Sequence, residues 1–183
     1  MHSEVPAGYE LNAAGLIVPS HKILGHGRYR GEIVRAGETI DTFEFDNLVV
    51  NQGLNYLLGA ALAAQTVVTS WYIGLFSGNY TVLAADTAAT IAANATEVSA
   101  YTAAARQLWV PAVPASQSAT NSASQATFTF NAGVTIYGAF LISSATISGA
   151  SGTLFSGAQF GAAKAVVAGD QLLLTYTYTA ASA

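Results

Sequence analysis

The chain has 183 residues, contains no cysteine and carries a formal net charge of −4. The lack of cysteine excludes disulfides and thiolate metal sites, and the acidic balance argues against nucleic acid as a partner. No segment is apolar for long enough to span a bilayer, so we also expect no membrane partner. Charged residues make up only 9% of the chain, against about 25% in ordinary soluble domains. We therefore expect neighbouring molecules to cover much of its surface in a permanent assembly.

The charge is distributed unevenly along the chain. Eleven of the sixteen charged residues, and all three histidines, lie within the first 47 residues. Prolines and glycines interrupt residues 1–20, which predicts an extended N-terminal arm without regular structure. The remainder, residues 21–183, is predicted to be a single β-rich domain. The arm is either a frayed terminus or a segment that docks on a neighbour through four apolar residues: Leu11, Leu16, Ile17 and Val18.

Residues 21–45 have the pattern of two strands joined by a turn at residues 35–38. Phe43 and Phe45 alternate with polar residues in the second strand, as in a half-buried strand. Three glycines precede them, at Gly25, Gly27 and Gly31. They resemble a glycine-rich phosphate loop, but no Gly-Lys-Ser/Thr and no βαβ unit follows. We attribute them to turns and bulges.

Residues 51–64 are predicted to form the one clear helix, with Asn51 as its N-cap. Its apolar residues share one face at helical spacing, which favours a helix packed on the sheet, with a partner site as the alternative. These residues are Leu54, Leu57, Leu58, Ala61 and Leu62. A short helical turn is expected near residues 87–93, capped by Asp86.

The rest of the chain is dominated by strand patterns. Residues 69–77 and 134–144 are nearly uninterrupted apolar runs, typical of strands buried on both faces. Residues 124–130 alternate and precede a turn at residues 131–133, so we expect a hairpin with residues 134–144 as its central strand. The final strand is residues 171–179. The class is therefore mainly β: a β-sandwich or jelly-roll-like body with one helix and an extended N-terminal arm.

The sequence shows no convergent set of catalytic residues. After residue 47 the only carboxylates are Asp86, Glu97 and Asp170, each beside a turn or strand end, where we expect capping. No His, Asp or Glu residues have the spacing of a zinc site, and there is no Gly-x-Ser-x-Gly elbow. We therefore expect no enzymatic activity, no metal and no cofactor.

Four aromatic residues could stack on sugars, but strand aromatics more often pack within a sheet. They are Tyr101, Trp109, Tyr176 and Tyr178. A carbohydrate-binding module remains an alternative on these residues.

Four runs of sheet and turn residues resemble a group of small tailed-bacteriophage virion proteins. They are residues 45–55 (FDNLVVNQGLN), 71–76 (WYIGLF), 134–141 (VTIYGAFL) and 166–170 (VVAGD). The likeness covers roughly residues 43–180 and includes no catalytic signature. It implies a capsid-associated structural protein of the cement or decoration kind, which lies on the head shell and strengthens it.

The resemblance implies a virion protein of the capsid surface, assembled in the host cytoplasm. It would bind the major capsid protein and copies of itself, for example as a trimer. We expect the four apolar arm residues to anchor it, and three cationic residues to pair with acidic shell surface: Arg28, Arg30 and Arg35. The alternative is a tail or head–tail adaptor that attaches fibres. Copy number distinguishes the two.

Overall fold

The computed structural model describes residues 9–11, 13–19 and 23–182, which form eleven strands and two helices. The first four strands are β1 (Tyr9–Leu11), β2 (Ile17–Pro19), β3 (Ile23–Arg35) and β4 (Glu38–Val49). Helix α1 (Asn51–Leu62), strand β5 (Trp71–Phe76) and helix α2 (Ala88–Asn94) follow. The remaining strands are β6 (Gln107–Trp109), β7 (Ser118–Thr120), β8 (Ala126–Thr129), β9 (Val134–Ile142), β10 (Leu154–Val166) and β11 (Gln171–Ser182).

Nine strands form one antiparallel sheet in the order β6-β5-β9-β10-β4-β3-β11-β7, with β8 also pairing along β11. The sheet folds over on itself. Strand β4 joins the two halves, pairing with β3 along most of its length and with β10 only at Leu48 and Val49. Strand β6 lies beside β8, which brings the two ends together. The chain is mainly β, as predicted, and the inner faces of both halves enclose one core.

The largest fully buried side chains come from both halves of the sheet. They are Tyr29, Tyr176, Phe76, Phe128, Phe130, Phe140, Ile73, Leu75, Ile136, Leu141, Ile142 and Leu154. Burying apolar surface of this kind contributes about 25 cal/mol per Å² removed from water. Because the polar backbone of each strand is paired in the sheet, this burial leaves few unsatisfied groups.

Strand β9 is central and buried on both faces, as its apolar run predicts. It lies between β5 and β10. Alternate residues such as Leu141 face the main core, while Phe140 and Ile142 face a second cluster that contains Ile91 of α2. The predicted hairpin with the preceding strand is wrong, because β8 pairs with β11 and not with β9. Residues 131–133 instead carry the chain from one half of the sheet to the other.

The β3–β4 hairpin is confirmed, and its turn has positive φ at Ala36 and Gly37 (50° and 85°). The assignment of the β3 glycines to turns and bulges is wrong, because they lie within the strand. In the inward positions, Gly27 contacts the side chains of Asn47 and Tyr176, and Gly31 lies under the ring of Phe43. A side chain at either position would collide with these groups, so the glycines make room for the core.

Both helices form where the sequence places them, but their N-termini differ from the prediction. Val50, not Asn51, occupies the cap position of α1, and the N–H of Asn51 donates to the carbonyl of Ala84. Helix α2 begins with a capping box between Thr87 and Thr90, a motif that satisfies two backbone N–H groups. Among the described residues, neither helix has the length and hydropathy needed to cross a membrane.

Strands β1 and β2 pair as an antiparallel hairpin outside the main sheet, with Gly15 at a positive φ of 74° between them. The prediction that residues 1–20 contain no regular element is therefore wrong for this part of the arm. Glycine and proline here mark the turn and the strand end and do not prevent pairing. Residues 1–8, 12 and 20 of the predicted arm lie outside the described residues.

Candidate interaction surfaces

The leucine face of α1 points away from the core. Leu54, Leu58 and Leu62 are 43%, 58% and 81% exposed, and Ala61 between them is also exposed. Of the five predicted core-facing residues, only Leu57 packs against the main core. The prediction of a helix that buries this face is therefore wrong, and the alternative partner site is the one that the geometry leaves open.

Specific contacts, not leucine periodicity, set the rotation of α1. At Gly53 the helix backbone lies directly on the backbone of Phe155 in β10. The side-chain oxygen of Gln52 accepts a hydrogen bond of 2.8 Å from the N–H of Leu154. Tyr56 is buried on the same side of the helix. Because only glycine allows such close approach, this side of α1 docks and the leucines face outward.

The segment of sequence that carries the leucine face has no charged residue. Between Asp46 and Asp86 the sequence has no acidic, basic or histidine residue. Residues 63–67, which follow α1, are all exposed, with Val67 61% exposed. A charged partner would lose hydration here without gaining an opposite charge. The surface formed by Leu54, Leu58, Ala61, Leu62 and residues 63–67, hereafter the α1 surface, therefore suits an apolar, uncharged partner.

Arg28 and Arg30 lie on the outer face of β3, where acidic neighbours already pair with them. The Arg28 guanidinium lies 3.0 Å from Asp46 and 3.4 Å from Glu44 on the adjacent β4. Arg30 lies 3.1 Å from Glu32 two residues along the strand. The Arg28 contact lowers the pKa of Asp46 below its usual range. These pairs are exposed and so contribute little to stability, and their binding to an acidic partner stays a prediction.

Arg35 lies apart from the other two arginines and forms a bidentate pair with Asp170. Its Nε and Nη2 atoms donate to the two carboxylate oxygens at 2.8 and 2.7 Å. Asp170 is 1% exposed and also accepts from the N–H of Val167 at 2.9 Å. The guanidinium contact lowers the pKa of Asp170 below its ordinary value. The pair joins the β3–β4 turn to the β10–β11 turn, a role that no local pattern indicates.

The arm residues Leu11 and Ile17 lie opposite each other in the β1–β2 hairpin. Both are about half exposed, and Leu16 in the connecting turn is 63% exposed. The side chain of Val18 lies outside the described residues. The structure thus brings Leu11 and Ile17 together on one small element. Their predicted role as anchors remains untested.

Asp86 is buried, and three neighbouring groups donate hydrogen bonds to its carboxylate. Tyr80 donates its hydroxyl at 2.8 Å, the N–H of Leu83 donates at 2.7 Å, and the hydroxyl of Thr90 donates at 3.0 Å. Burial and the Asp86 carboxylate raise the pKa of Tyr80. Asp86 therefore orders the loop before α2, although Thr87 and not Asp86 is the helix cap.

Glu97 is not a cap but half of a buried ion pair with Arg106. Their side chains are 2% and 1% exposed. The guanidinium donates to both carboxylate oxygens and to the carbonyls of Ser144 and Gly149, and the N–H of Ser148 donates to Glu97. Three loops therefore meet at this pair. Asp86, Glu97 and Asp170 thus lie in three separate hydrogen-bonded sites, and the described residues contain no group of three or more His, Asp or Glu placed to hold a metal.

The four aromatics considered for sugar stacking pack within the body. Tyr101 and Tyr176 are 3% and 0% exposed, and Trp109 and Tyr178 are partly buried. Trp109 donates its indole N–H to the carbonyl of Tyr176 at 3.1 Å, and the two rings meet edge to face. The interpretation of these residues as sheet packing is confirmed.

Comparisons with known proteins identify no relative: no protein-family model matches the chain, and no curated protein is significantly similar to it. The features that bear on function are therefore the α1 surface and the exposed residues of β3 and of the β1–β2 hairpin. The helical spacing of the leucines predicted the wrong rotation of α1 about its axis, although the sequence contained one sign of the correct rotation. A helix and its flanks without a single charge lack the ionic side chains that usually cover a solvated helix face.

Proposed function

We propose that the chain is a non-enzymatic virion structural protein that decorates and stabilises the head shell of a tailed bacteriophage. It would lie on the capsid surface, assemble in the host cytoplasm, and bind the major capsid protein and copies of itself. The observation that carries the proposal is the α1 surface. An exposed leucine row in a segment without charged residues is expected in a chain whose neighbours cover it.

The size of the α1 surface supports repeated, individually weak contacts. A helix of 12 residues is about 18 Å long, whereas a stable interface usually buries about 800 Å² on each partner. The α1 surface alone is therefore too small for tight dimerisation in dilute solution. On a shell each contact is repeated many times, so a modest affinity for each contact is sufficient.

The α1 surface is compatible with a second copy of itself. Leu54, Leu58 and Leu62 follow one row of residues four apart, and such rows interdigitate when two helices cross at about −50°. No like charges would meet, because α1 carries none. In an antiparallel pair the opposite helix dipoles add a small attraction. Ala61 lies among the leucines and lets the two backbones approach.

The first experiment tests the α1 surface in self-association. Leu58→Glu places a charge at the centre of the row, and Val113→Glu is the control, because Val113 is 88% exposed and lies outside α1. Sedimentation velocity at increasing concentration should show self-association for the wild type and Val113→Glu, and loss of it for Leu58→Glu. A wild type that stays monomeric at millimolar concentration and does not bind purified heads would refute the proposal.

The second experiment tests the arm in shell binding. Deleting residues 1–20 should leave the body folded, as judged by circular dichroism, because β1 and β2 form a two-stranded sheet separate from the nine-stranded sheet in the described part of the chain. We expect the truncated protein not to bind purified heads. A truncated protein that still decorates heads would remove the arm from the mechanism and leave the α1 surface as the remaining contact.

The alternative proposal is that the chain is a tail or head–tail adaptor, which would use the same surfaces at a different place in the virion. Icosahedral symmetry gives a decoration protein on the order of hundreds of copies per particle, whereas axial symmetry gives an adaptor about six to twelve. Cryo-electron microscopy of intact particles, at a resolution that traces this chain, measures that number directly. The aromatics that a carbohydrate-binding module would use pack within the body, so we do not propose that function.

A further inference from the structure

We infer that the body contains a binding site for a small, uncharged apolar molecule about the size of one aromatic ring. The site is a pocket of about 140 Å³, partly open to solvent, between α1 and the inner faces of the sheet. Its walls are chiefly Tyr56, Leu57, Trp71, Trp109, Phe155 and Tyr178. These residues come from α1, β5, β6, β10 and β11, so the cavity lies where both halves of the sheet meet the helix.

The volume of the cavity limits the size of its ligand. An enclosed, engineered apolar cavity of about 150 Å³ stays dry and accepts benzene or xenon, which shows that this volume is sufficient for such ligands. Sites for sugars, nucleotides and drug-sized molecules have volumes of about 300–1,000 Å³. A volume of about 140 Å³ therefore fits one six-membered ring or a short branched alkane, and is too small for those larger ligands.

The chemistry of the walls disfavours anions and suits an apolar ring. Tyr56 already accepts a hydrogen bond from the N–H of Val68 at 2.9 Å, and Trp109 already donates to the carbonyl of Tyr176. Leu57 and Phe155 contribute only carbon atoms. A carboxylate would lose its hydration without finding an opposite charge among these walls. An apolar ring loses nothing of this kind and gains contact with the surrounding aromatic faces.

The ring geometry keeps the walls apart. Tyr56 and Trp71 meet edge to face at 5.1 Å between centroids, as do Trp71 and Phe155 at 5.5 Å. Phe155 and Tyr178 repeat the arrangement at 5.3 Å. Each ring is thus held by the next, so the site resists the collapse that would otherwise fill it. An aromatic ligand can extend the same edge-to-face pattern.

Helix α1 forms one wall of the cavity and carries the α1 surface on its opposite side. Tyr56 and Leu57 face the cavity, while Leu58 faces solvent. A bound ligand therefore adds contacts that hold the helix on the sheet. This inference does not rest on the proposed function, because the cavity is inside a single chain.

Benzene and xenon are suitable probes of the full-length protein. We expect benzene to raise the melting temperature of the wild type, because a ligand that binds only the folded state stabilises it. It should also shift the indole N–H resonances of Trp71 and Trp109. Leu57→Ala enlarges the cavity and should admit naphthalene, whereas Leu58→Ala, one residue along the helix, should bind like the wild type. Leu57→Trp fills the cavity and should abolish binding.

Two outcomes overturn the inference. One is a wild type whose melting temperature and indole resonances do not change at saturating benzene. The other is a folded Leu57→Trp variant that binds benzene as well as the wild type does. If Leu57→Trp does not fold, diffraction from xenon-pressurised wild-type crystals decides: xenon beside Trp71 supports the site, and xenon only elsewhere refutes it. A negative result leaves head binding and self-association unaffected, so the two proposals fail separately.

Discussion

Replacing Arg106 by methionine should be among the most destabilising single substitutions in the chain. Methionine keeps an unbranched stem of similar length and removes only the guanidinium. The wild-type guanidinium lies 2.7 and 2.8 Å from the two oxygens of Glu97, 2.9 Å from the carbonyl of Ser144 and 3.1 Å from that of Gly149. All four contacts disappear together, and Glu97 is left buried with the N–H of Ser148 as its remaining donor.

The size of the effect follows from burial. Removing one partner of a buried ion pair typically costs about 3–5 kcal/mol, because the other charge is left uncompensated. A fixed buried group that loses its hydrogen-bond partner costs about 1–3 kcal/mol. The carbonyls of Ser144 and Gly149 are in loops and can turn toward water, so each adds less than this to the loss of stability. We therefore expect Arg106→Met to lower the free energy of unfolding by about 4 kcal/mol. The protein should still fold, because domains typically have about 5–15 kcal/mol of stability.

Urea denaturation, followed by tryptophan fluorescence and circular dichroism, measures this loss. The double variant Arg106→Met/Glu97→Leu removes the stranded charge as well and should recover about 2 kcal/mol relative to the single variant. Two results would contradict the role of the buried ion pair. One is a loss of less than about 1 kcal/mol in the free energy of unfolding of the single variant, and the other is a double variant that is no more stable than the single one.

Three further predictions concern β11, β3 and acid stability. Asn121→Leu leaves one N–H and one carbonyl of β11 unpaired, so chemical denaturation should show a loss of about 2–4 kcal/mol; a loss below about 0.5 kcal/mol would contradict it. Gly27→Ala collides with core side chains and should cost about 1–3 kcal/mol, whereas the control Gly161→Ala has no atom within 4 Å and should be neutral; equal effects would refute the packing argument. Arg35 lowers the pKa of Asp170, so their pair stabilises the fold above the ordinary aspartate pKa of about 3.9 and is lost as the pH falls through the lower folded value. The melting temperature of the wild type should therefore exceed that of Asp170→Asn at pH 7 and approach it below pH 4; a constant difference would contradict the linkage.

The local sequence pattern was sufficient to predict an element whose structure depends on its own residues. The uninterrupted apolar run of β9 has no polar face to give to solvent, so the sequence alone predicts a strand buried on both sides. The two-residue turn at Ala36 and Gly37 likewise requires positive φ at both positions, and the β3–β4 hairpin follows from it. The existence of α1 was equally clear from its helical periodicity.

Local pattern failed where two distant segments share a contact. The sequence cannot show that β8 pairs with β11, because a turn at residues 131–133 is compatible both with a hairpin and with a crossover. It cannot show that Arg35 meets Asp170, since 135 residues separate them. The rotation of α1 depends on Gly53 meeting Phe155 in β10, a contact that leucine periodicity does not contain.

The sequence by itself determined that this chain is mainly β, poor in charge and without a local catalytic motif, because these properties depend on composition and short-range alternation. Tertiary structure alone decided which apolar residues remain outside. A row of leucines is buried or exposed according to what the opposite side of the helix contacts. In α1, Gly53 and Gln52 contact a strand about one hundred residues away along the chain. Close packing at Gly53 directs the leucines toward solvent.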